Sequence, residues 1–417
     1  MSVITSDEAA LRSSRAALAT LLMVMVINML GFGVIVPLLP FYARSFHAPG
    51  WQIGLLFSAY SAGSFFGEPF WGRLSDRIGR KPLLVSTVSA NCLCYLALAF
   101  APNVFAGCLV RFLGGMAGGN SSVVQGYIAD VTPVEYRSGR MAVLGAAYNI
   151  GFIFGPGLGG LLARPGEGPA GFQLPLLVAS ALAGISALGI FLIVRESRVH
   201  VGHAAIQGPN RWTMTGRALR HPVVGRLMLV TLVAGLAFNG IESTFGFWAS
   251  HRYNWTPANI GLCFTVAAIT SALGQSLLTG ALSRRYGQAP MLAFGIVVTV
   301  ICLALQPLAP WGIATIAIMS VMSLGQSVAF PNTSALISRS TDPDRQGQML
   351  GLNNAMGGAA RLIGPQAALA LFYWRADAPF FVGAAVTAPA ILLALGAGRA
   401  ASRLTPERAQ KHERRRY

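Results

Sequence analysis

Gly72–Pro82 reads GRLSDRIGRKP, eleven residues carrying Arg73, Asp76, Arg77, Arg80 and Lys81 between two long apolar runs. The pattern returns as GALSRRYGQAP over Gly280–Pro290, 208 residues on in a chain of 417. Gly72, Leu74, Ser75, Arg77, Gly79 and Pro82 recur as Gly280, Leu282, Ser283, Arg285, Gly287 and Pro290. Arg137 and Gly139 return as Arg345 and Gly347, and Gly155-Pro156 as Gly364-Pro365. A repeat of this length at half the chain points to duplication.

Composition says what was duplicated. The chain is 54% hydrophobic and 11% charged, with a mean hydropathy of +0.57. Soluble domains carry about 25% charged residues. A bilayer-crossing helix needs about 20 mostly apolar residues, and about twelve such runs can be counted, six in each half. Residues 1–15 are polar and the run from Ala16 is too long for a signal peptide. Arg44, Arg164, Arg252 and Arg375 are expected in outer loops and Arg111 and Arg361 inside spans, and the remaining Lys and Arg in the tails and even-numbered loops. Positive charge is retained inside, so both termini are expected in the cytoplasm, the basic rim meeting anionic lipid. Net charge +17 also raises nucleic-acid binding, which its scatter over short loops argues against. Cys92, Cys94, Cys108, Cys263 and Cys302 sit in apolar runs without zinc-ligand spacing, so no metal or other cofactor is expected. No nucleophile–base pair suggests an enzyme.

The expected architecture is an all-α membrane protein of twelve transmembrane helices in two pseudo-symmetric six-helix halves. Residues 1–194 form the first half, 195–221 a cytoplasmic linker with a short surface helix over Trp212–Leu219, 222–399 the second half and 400–417 a basic tail. Polar residues concentrate in spans 1, 4, 7 and 10, helped by 2, 5, 8 and 11. Asn28, Gln125, Asn149, Asn239 and Gln326 are candidate cavity residues, with Phe238 and Phe245 flanking Glu242. Spans 3, 6, 9 and 12 look featureless and lipid-facing. Glu68, near the end of span 2, reads as a rim carboxylate paired with a loop arginine. Asp130 is expected to pair with Arg77, Arg137 or Arg140.

Over its whole length the chain resembles the major facilitator superfamily. GRLSDRIGRKP is similar to the loop between that family's second and third helices, and Arg111 with Gly115 and Gly119 to its helix-4 motif. Gly151–Gly160, GFIFGPGLGG, matches the G-x-x-x-G-P-x-x-G-G motif of its exporters in full. DVTPVEYRSGRMAVLGA and LGLNNAMGGAARLIGP look most like drug:proton antiporters related to tetracycline exporters. One departure is Asn28, where those exporters carry an aspartate. The resemblance implies proton-coupled export of small amphipathic drugs or metabolites, by a monomer in a bacterial inner membrane. A lipid or metabolite exporter and a ligand-sensing membrane protein are the alternatives.

Gating is assigned to Gly72, Asp76, Arg77, Gly79 and Arg80, and to Gly151, Gly155, Pro156, Gly159 and Gly160. By resemblance, Asp76 docks on the N-terminus of the eleventh helix, where unpaired N–H groups favour an anion. The glycines of 151–160 bring span 5 against a neighbour, and Pro156 permits a kink. Proton coupling is assigned to Glu242, Arg361 and Arg111. An ionisable residue in a span is expensive and defaults to function. By helix rise, Glu242 and Arg361 differ in level by roughly 6 Å. Burial opposes a charge on Glu242 while Arg361 favours one. Arg111 either snorkels outward or pairs with a carboxylate or carbonyl.

Overall fold

The computed structural model describes residues 2–132, 136–197, 216, 218–341 and 346–413. Most of the linker, including most of the helix expected over Trp212–Leu219, lies outside them, as does the end of the tail. All regular structure among the described residues is helical. In order the helices are α1 Ser2–Ile35, α2 Leu39–Ser45, α3 Gly50–Ile78, α4 Arg80–Ala99, α5 Val104–Gly118, α6 Ser121–Val131, α7 Arg137–Leu162 and α8 Gln173–Ile193. The second half gives α9 Val224–Tyr253, α10 Pro257–Leu273, α11 Gly280–Tyr286, α12 Gln288–Leu305, α13 Gly312–Ser340, α14 Gln346–Trp374, α15 Ala378–Thr387 and α16 Pro389–Glu413. The last continues as helix into the region expected to be a separate tail.

Among the described residues seven stretches are by themselves long and apolar enough to cross a membrane, eight with the pair Ala19–Ile35 and Leu39–Ser45, bent by 46°. Those that fall short are α3, the α5–α6 pair, α7 and α14. These carry Glu68, Asn120, Asn149, Asn353 and Arg361. With them, the described residues hold the twelve helical stretches that the twelve-span reading needs.

By its contacts the chain forms two units. One comprises Met1–Ala204 with Ala249–Thr265, the other Ala205–Trp248 with Val266–Tyr417. Segment 249–265 was expected in the second half. It packs on the first through glycine: a Cβ on Gly261 would overlap the Pro156 carbonyl, and one on Gly160 the Pro257 carbonyl.

Without a hydrophobic driving force between helices in lipid, close backbone packing holds spans together. In the first unit α7 turns Gly151, Gly155 and Gly159, one per turn, onto α1. A Cβ on Gly155 would stand 2.7 Å from Gly33 Cα and Leu30 O, and one on Gly159 would overlap Val34 O. α7 continues unbroken through Pro156. A second seam joins α3 to α5, where a Cβ on Gly67 would lie 2.9 Å from Met116 Cα and one on Gly119 2.7 Å from Glu68 N. Leu21, Val24, Leu84, Val88, Val124 and Ile128 fill the apolar core behind these seams.

The second unit repeats the device. α9 meets α14 where a Cβ on Gly240 would lie 3.1 Å from Gly364 O, and α12 meets α13 at Gly295 and Gly325. Val223, Leu227, Leu292, Ile296, Ile337 and Ala394 form its core. Between α10 and α11, Gly274–Thr279 form a π-helical turn, a local widening often found at functional sites. Thr279 Oγ1 donates to Ser327 O at 3.2 Å across it.

Candidate functional site

The 72–82 stretch is less of a loop than its composition suggests. α3 runs to Ile78 and α4 begins at Arg80, so the turn is Gly79 alone. Gly72 lies inside α3, where its missing side chain admits Ser122; only Gly79, at φ 104°, needs glycine for its backbone. A Cβ on Gly79 would also strike the Glu196 carboxylate. That carboxylate accepts from Arg80 N at 2.8 Å and Lys81 N at 3.1 Å, occupying the positive N-terminus of α4.

Arg80 is the hub. Its Nη2 lies 3.0 Å from Asp76 Oδ1 and its Nε 3.2 Å from Asp130 Oδ2, and Nη1 donates to Ser75 Oγ. Gly126 leaves room for the guanidinium, since a Cβ there would lie 2.6 Å from Arg80 Cζ. Ser197 Oγ donates to Asp130 at 3.3 Å, and Tyr127 Oη to Arg195 O at 2.9 Å. Residues 195–197, read from the sequence as linker, therefore close the cluster. Asp130 takes Arg80, which was not among the expected partners Arg77, Arg137 and Arg140; the side chain of Arg137 lies outside those described. Glu196 was missed: nothing in a single sequence pairs it with a turn 116 residues earlier.

Arg111 is buried, at 4% exposure, so it does not snorkel. Its Nε donates to Leu56 O at 3.4 Å, and the guanidinium sits 4.4 Å from the Tyr60 ring centre. No described carboxylate pairs with it. Next to it α4, expected to be featureless and lipid-facing, turns polar groups inward. Thr87, Asn91 and Tyr95 are buried, and Asn120 Nδ2 donates to Thr87 Oγ1 at 3.1 Å at the break between α5 and α6.

Glu68 also departs from expectation. Ser121 Oγ donates to its Oε1 at 3.1 Å and Ser122 Oγ to its backbone carbonyl at 3.2 Å. Among the described ion pairs no arginine meets it.

Glu242 and Arg361 lie within electrostatic range of each other, without a direct ion pair among the described residues. Glu242 is half-buried and Arg361 exposed. The α9–α14 seam that brings them together also includes Thr231 Oγ1 donating to Asn353 Oδ1 at 2.8 Å.

The cavity candidates separate. Asn28, Asn149, Phe238 and Asn239 are half-buried and Gln125 is exposed. Asn28 Oδ1 has no hydrogen-bond partner among the described residues, whereas Asn239 Nδ2 folds back on Gly235 O at 2.6 Å. Phe245 does not face a cavity. It is wholly buried and stacks on Trp248 at 6.0 Å, which in turn meets Phe380 at 4.9 Å and donates Nε1 to Asp377 at 2.8 Å. These aromatics are core packing. Gln326 is buried in a small cavity within the second unit, lined by Val230, Ile296, Thr299, Phe330 and Thr387.

The Major Facilitator Superfamily model matches residues 21–256 and 227–416. Tetracycline resistance protein class C of Escherichia coli is 27% identical over 363 residues, covering 86% of this chain and 90% of that protein. Multidrug resistance protein 2 of Bacillus subtilis is 26% identical over 355 residues, covering 84% and 87%. The crystal structure of the human organic anion transporter MFSD10 superposes with a TM-score of 0.69 at 22% identity, covering 91% of this chain and 99% of that one.

Proposed function

Because the chain belongs to the Major Facilitator Superfamily, we propose that it exports small amphipathic compounds, drugs among them, in exchange for protons. The observation that carries this reading is the family match, which takes in both halves of a chain whose spans hold Arg111, Glu242 and Arg361. Two relatives bear names of drug resistance, which supports export as the direction and drugs as cargo. The protein works as a monomer in a bacterial inner membrane with both termini in the cytoplasm, its basic rim against anionic lipid.

Asp76 and Arg80 act as a gate on the cytoplasmic side, braced by Asp130 and Glu196. The glycines at 151, 155, 159 and 160 keep α7 seated while the halves alternate access. Glu242 carries the proton and Arg361 opposes it. Asn28, Gln125, Asn149, Phe238 and Asn239 contribute to the cargo's path.

The test is accumulation of ethidium by inverted vesicles containing the purified chain, with an acid-inside gradient. Uptake that collapses with a protonophore is expected. Uptake insensitive to the gradient would overturn proton coupling, and no uptake of ethidium, tetracycline or a fluoroquinolone would overturn drug export.

A further inference from the structure

The small cavity of the second unit lies among α9, α12, α13 and α15 and measures about 20 Å³. One water needs about 10–15 Å³, so the space suits a single water and is far too small for cargo. Its polar lining is Gln326 with Thr231, Thr299, Thr333 and Thr387. Three of these threonines have spent their one hydrogen. Thr231 Oγ1 donates to Asn353 Oδ1 at 2.8 Å, Thr299 Oγ1 to Gly295 O at 2.9 Å and Thr333 Oγ1 to Ala329 O at 3.2 Å. Thr387 has not: its Oγ1 is buried without a hydrogen-bond partner among the described residues, and so is Gln326 Oε1. Thr387 is 0% exposed and Gln326 8%, so solvent does not satisfy either. Two orphaned polar atoms inside a span are costly unless something in the cavity takes them up.

The two atoms call for a molecule that both accepts and donates. Thr387 offers a hydrogen, whereas Gln326 Oε1 offers only lone pairs. We propose that Gln326 and Thr387 hold one buried water, which accepts from Thr387 Oγ1 and donates to Gln326 Oε1. Its second hydrogen goes to a free lone pair on one of the other threonine oxygens. The water ties α13 to α15 where the last span is interrupted, since α15 ends at Thr387 and α16 begins at Pro389. At another proline the same unit meets the need with its own side chain. Pro331, inside α13, has no N–H for Ser327 O, and Thr279 Oγ1 donates to that carbonyl at 3.2 Å. Gln326, expected from the sequence in the cargo cavity, thereby becomes a residue that joins two helices of one unit.

The test is thermal unfolding of the purified full-length chain, and the sign of the shift decides it. Thr387→Val keeps the shape of the side chain and removes the hydroxyl; Gln326→Met keeps the length and removes the amide. If a water joins the two, each change leaves it short of a partner, and the midpoint should fall by about 2–4 °C. If the atoms are simply orphaned, each change removes an unsatisfied buried group, and the midpoint should rise. A raised or unchanged midpoint in either variant overturns the proposal. The double variant, which dispenses with the water altogether, should unfold no lower than the less stable single variant; losses that add would show that the two residues share nothing. Should a variant fail to fold, a crystal structure of the unaltered chain that resolves waters decides instead. One density peak within hydrogen-bond distance of both Gln326 Oε1 and Thr387 Oγ1 is expected, and a peak touching only one of them, or none, overturns the site.

Discussion

Gly155→Ala is the smallest change that probes the α1–α7 seam. In an open stretch of helix, glycine to alanine stabilises by about 0.5–1 kcal/mol, because alanine loses less backbone freedom. At Gly155 the new methyl would stand 2.7 Å from Gly33 Cα and Leu30 O, and ordinary contact begins at 3.4 Å. The shortfall of about 0.7 Å falls on backbone, which has no rotamer to yield, so α7 must move off α1. Overpacking of this kind costs about 1–3 kcal/mol, more than the helix gains, so the net change is destabilising. Gly145, on the same helix, has nothing within 4 Å of the position an added methyl would take; Gly145→Ala should be neutral or mildly stabilising. Thermal unfolding in detergent, followed by tryptophan fluorescence, should move in opposite directions for the two variants. Gly155→Leu should fail to fold or fail to cycle. Equal midpoints for Gly155→Ala and Gly145→Ala would refute the argument, because the seam would then lack the closeness that defines it.

Asp76→Asn should cut vesicle uptake at least several-fold with expression near wild type, since Arg80 keeps Asp130 and the fold survives; unchanged uptake would remove the gate. Arg80→Ala should lower both stability and uptake, because Asp76, Asp130 and Ser75 lose one common partner; loss of uptake with an unchanged unfolding midpoint would confine Arg80 to the gate. Glu196→Gln should lower the unfolding midpoint slightly and uptake more, as the N-terminus of α4 loses its anion; no change in either would make residues 195–197 a passive tether. Glu242→Gln should abolish proton release on adding ethidium to weakly buffered purified protein while the chain stays folded. Undiminished release would place the proton elsewhere, with Glu68 and Asp130 the next carboxylates to substitute.

The spans were legible because a run of twenty apolar residues has few other fates. Gly155 and Gly159 were legible because glycine at four-residue spacing in such a run has one common use. The rotation of each helix about its axis was not. In water, a polar face marks the outside of a helix; in a bilayer both lipid and core are apolar, so the faces of α4 look alike in sequence. Thr87, Asn91 and Tyr95 could have flagged its inward side. Phe245 misled in the same way: its closeness to Glu242 in sequence suggested a shared pocket, yet the ring is wholly buried in the core against Trp248. Charge partners were the least legible. Asp130 and Glu196 meet Arg80 across 50 and 116 residues, and the sequence offers several arginines of equal claim.

The duplication separates geometry from chemistry. Gly79 and Gly287 have nearly the same backbone, φ 104° and 90°, so the turn survives in both copies. Around Gly287 a Cβ would meet only Pro290 Cδ at 3.7 Å, whereas around Gly79 it strikes Glu196. At the 208-residue offset Asp76 becomes Arg284, Arg80 becomes Gln288 and Asp130 becomes Ser338. All three members are replaced together. A network required to hold the turn would be needed twice, since the turn is made twice. The second copy folds the same turn without them, so the turn alone does not require Asp76, Arg80 and Asp130. The converse holds at the seams: Gly33 with Gly155 and Gly240 with Gly364 are present in both copies, as a packing requirement should be. Transferring Arg80 and Asp130 into the second copy, by Gln288→Arg with Ser338→Asp, should therefore leave folding intact and give no gain in uptake, whereas removing the first-half set should stop it.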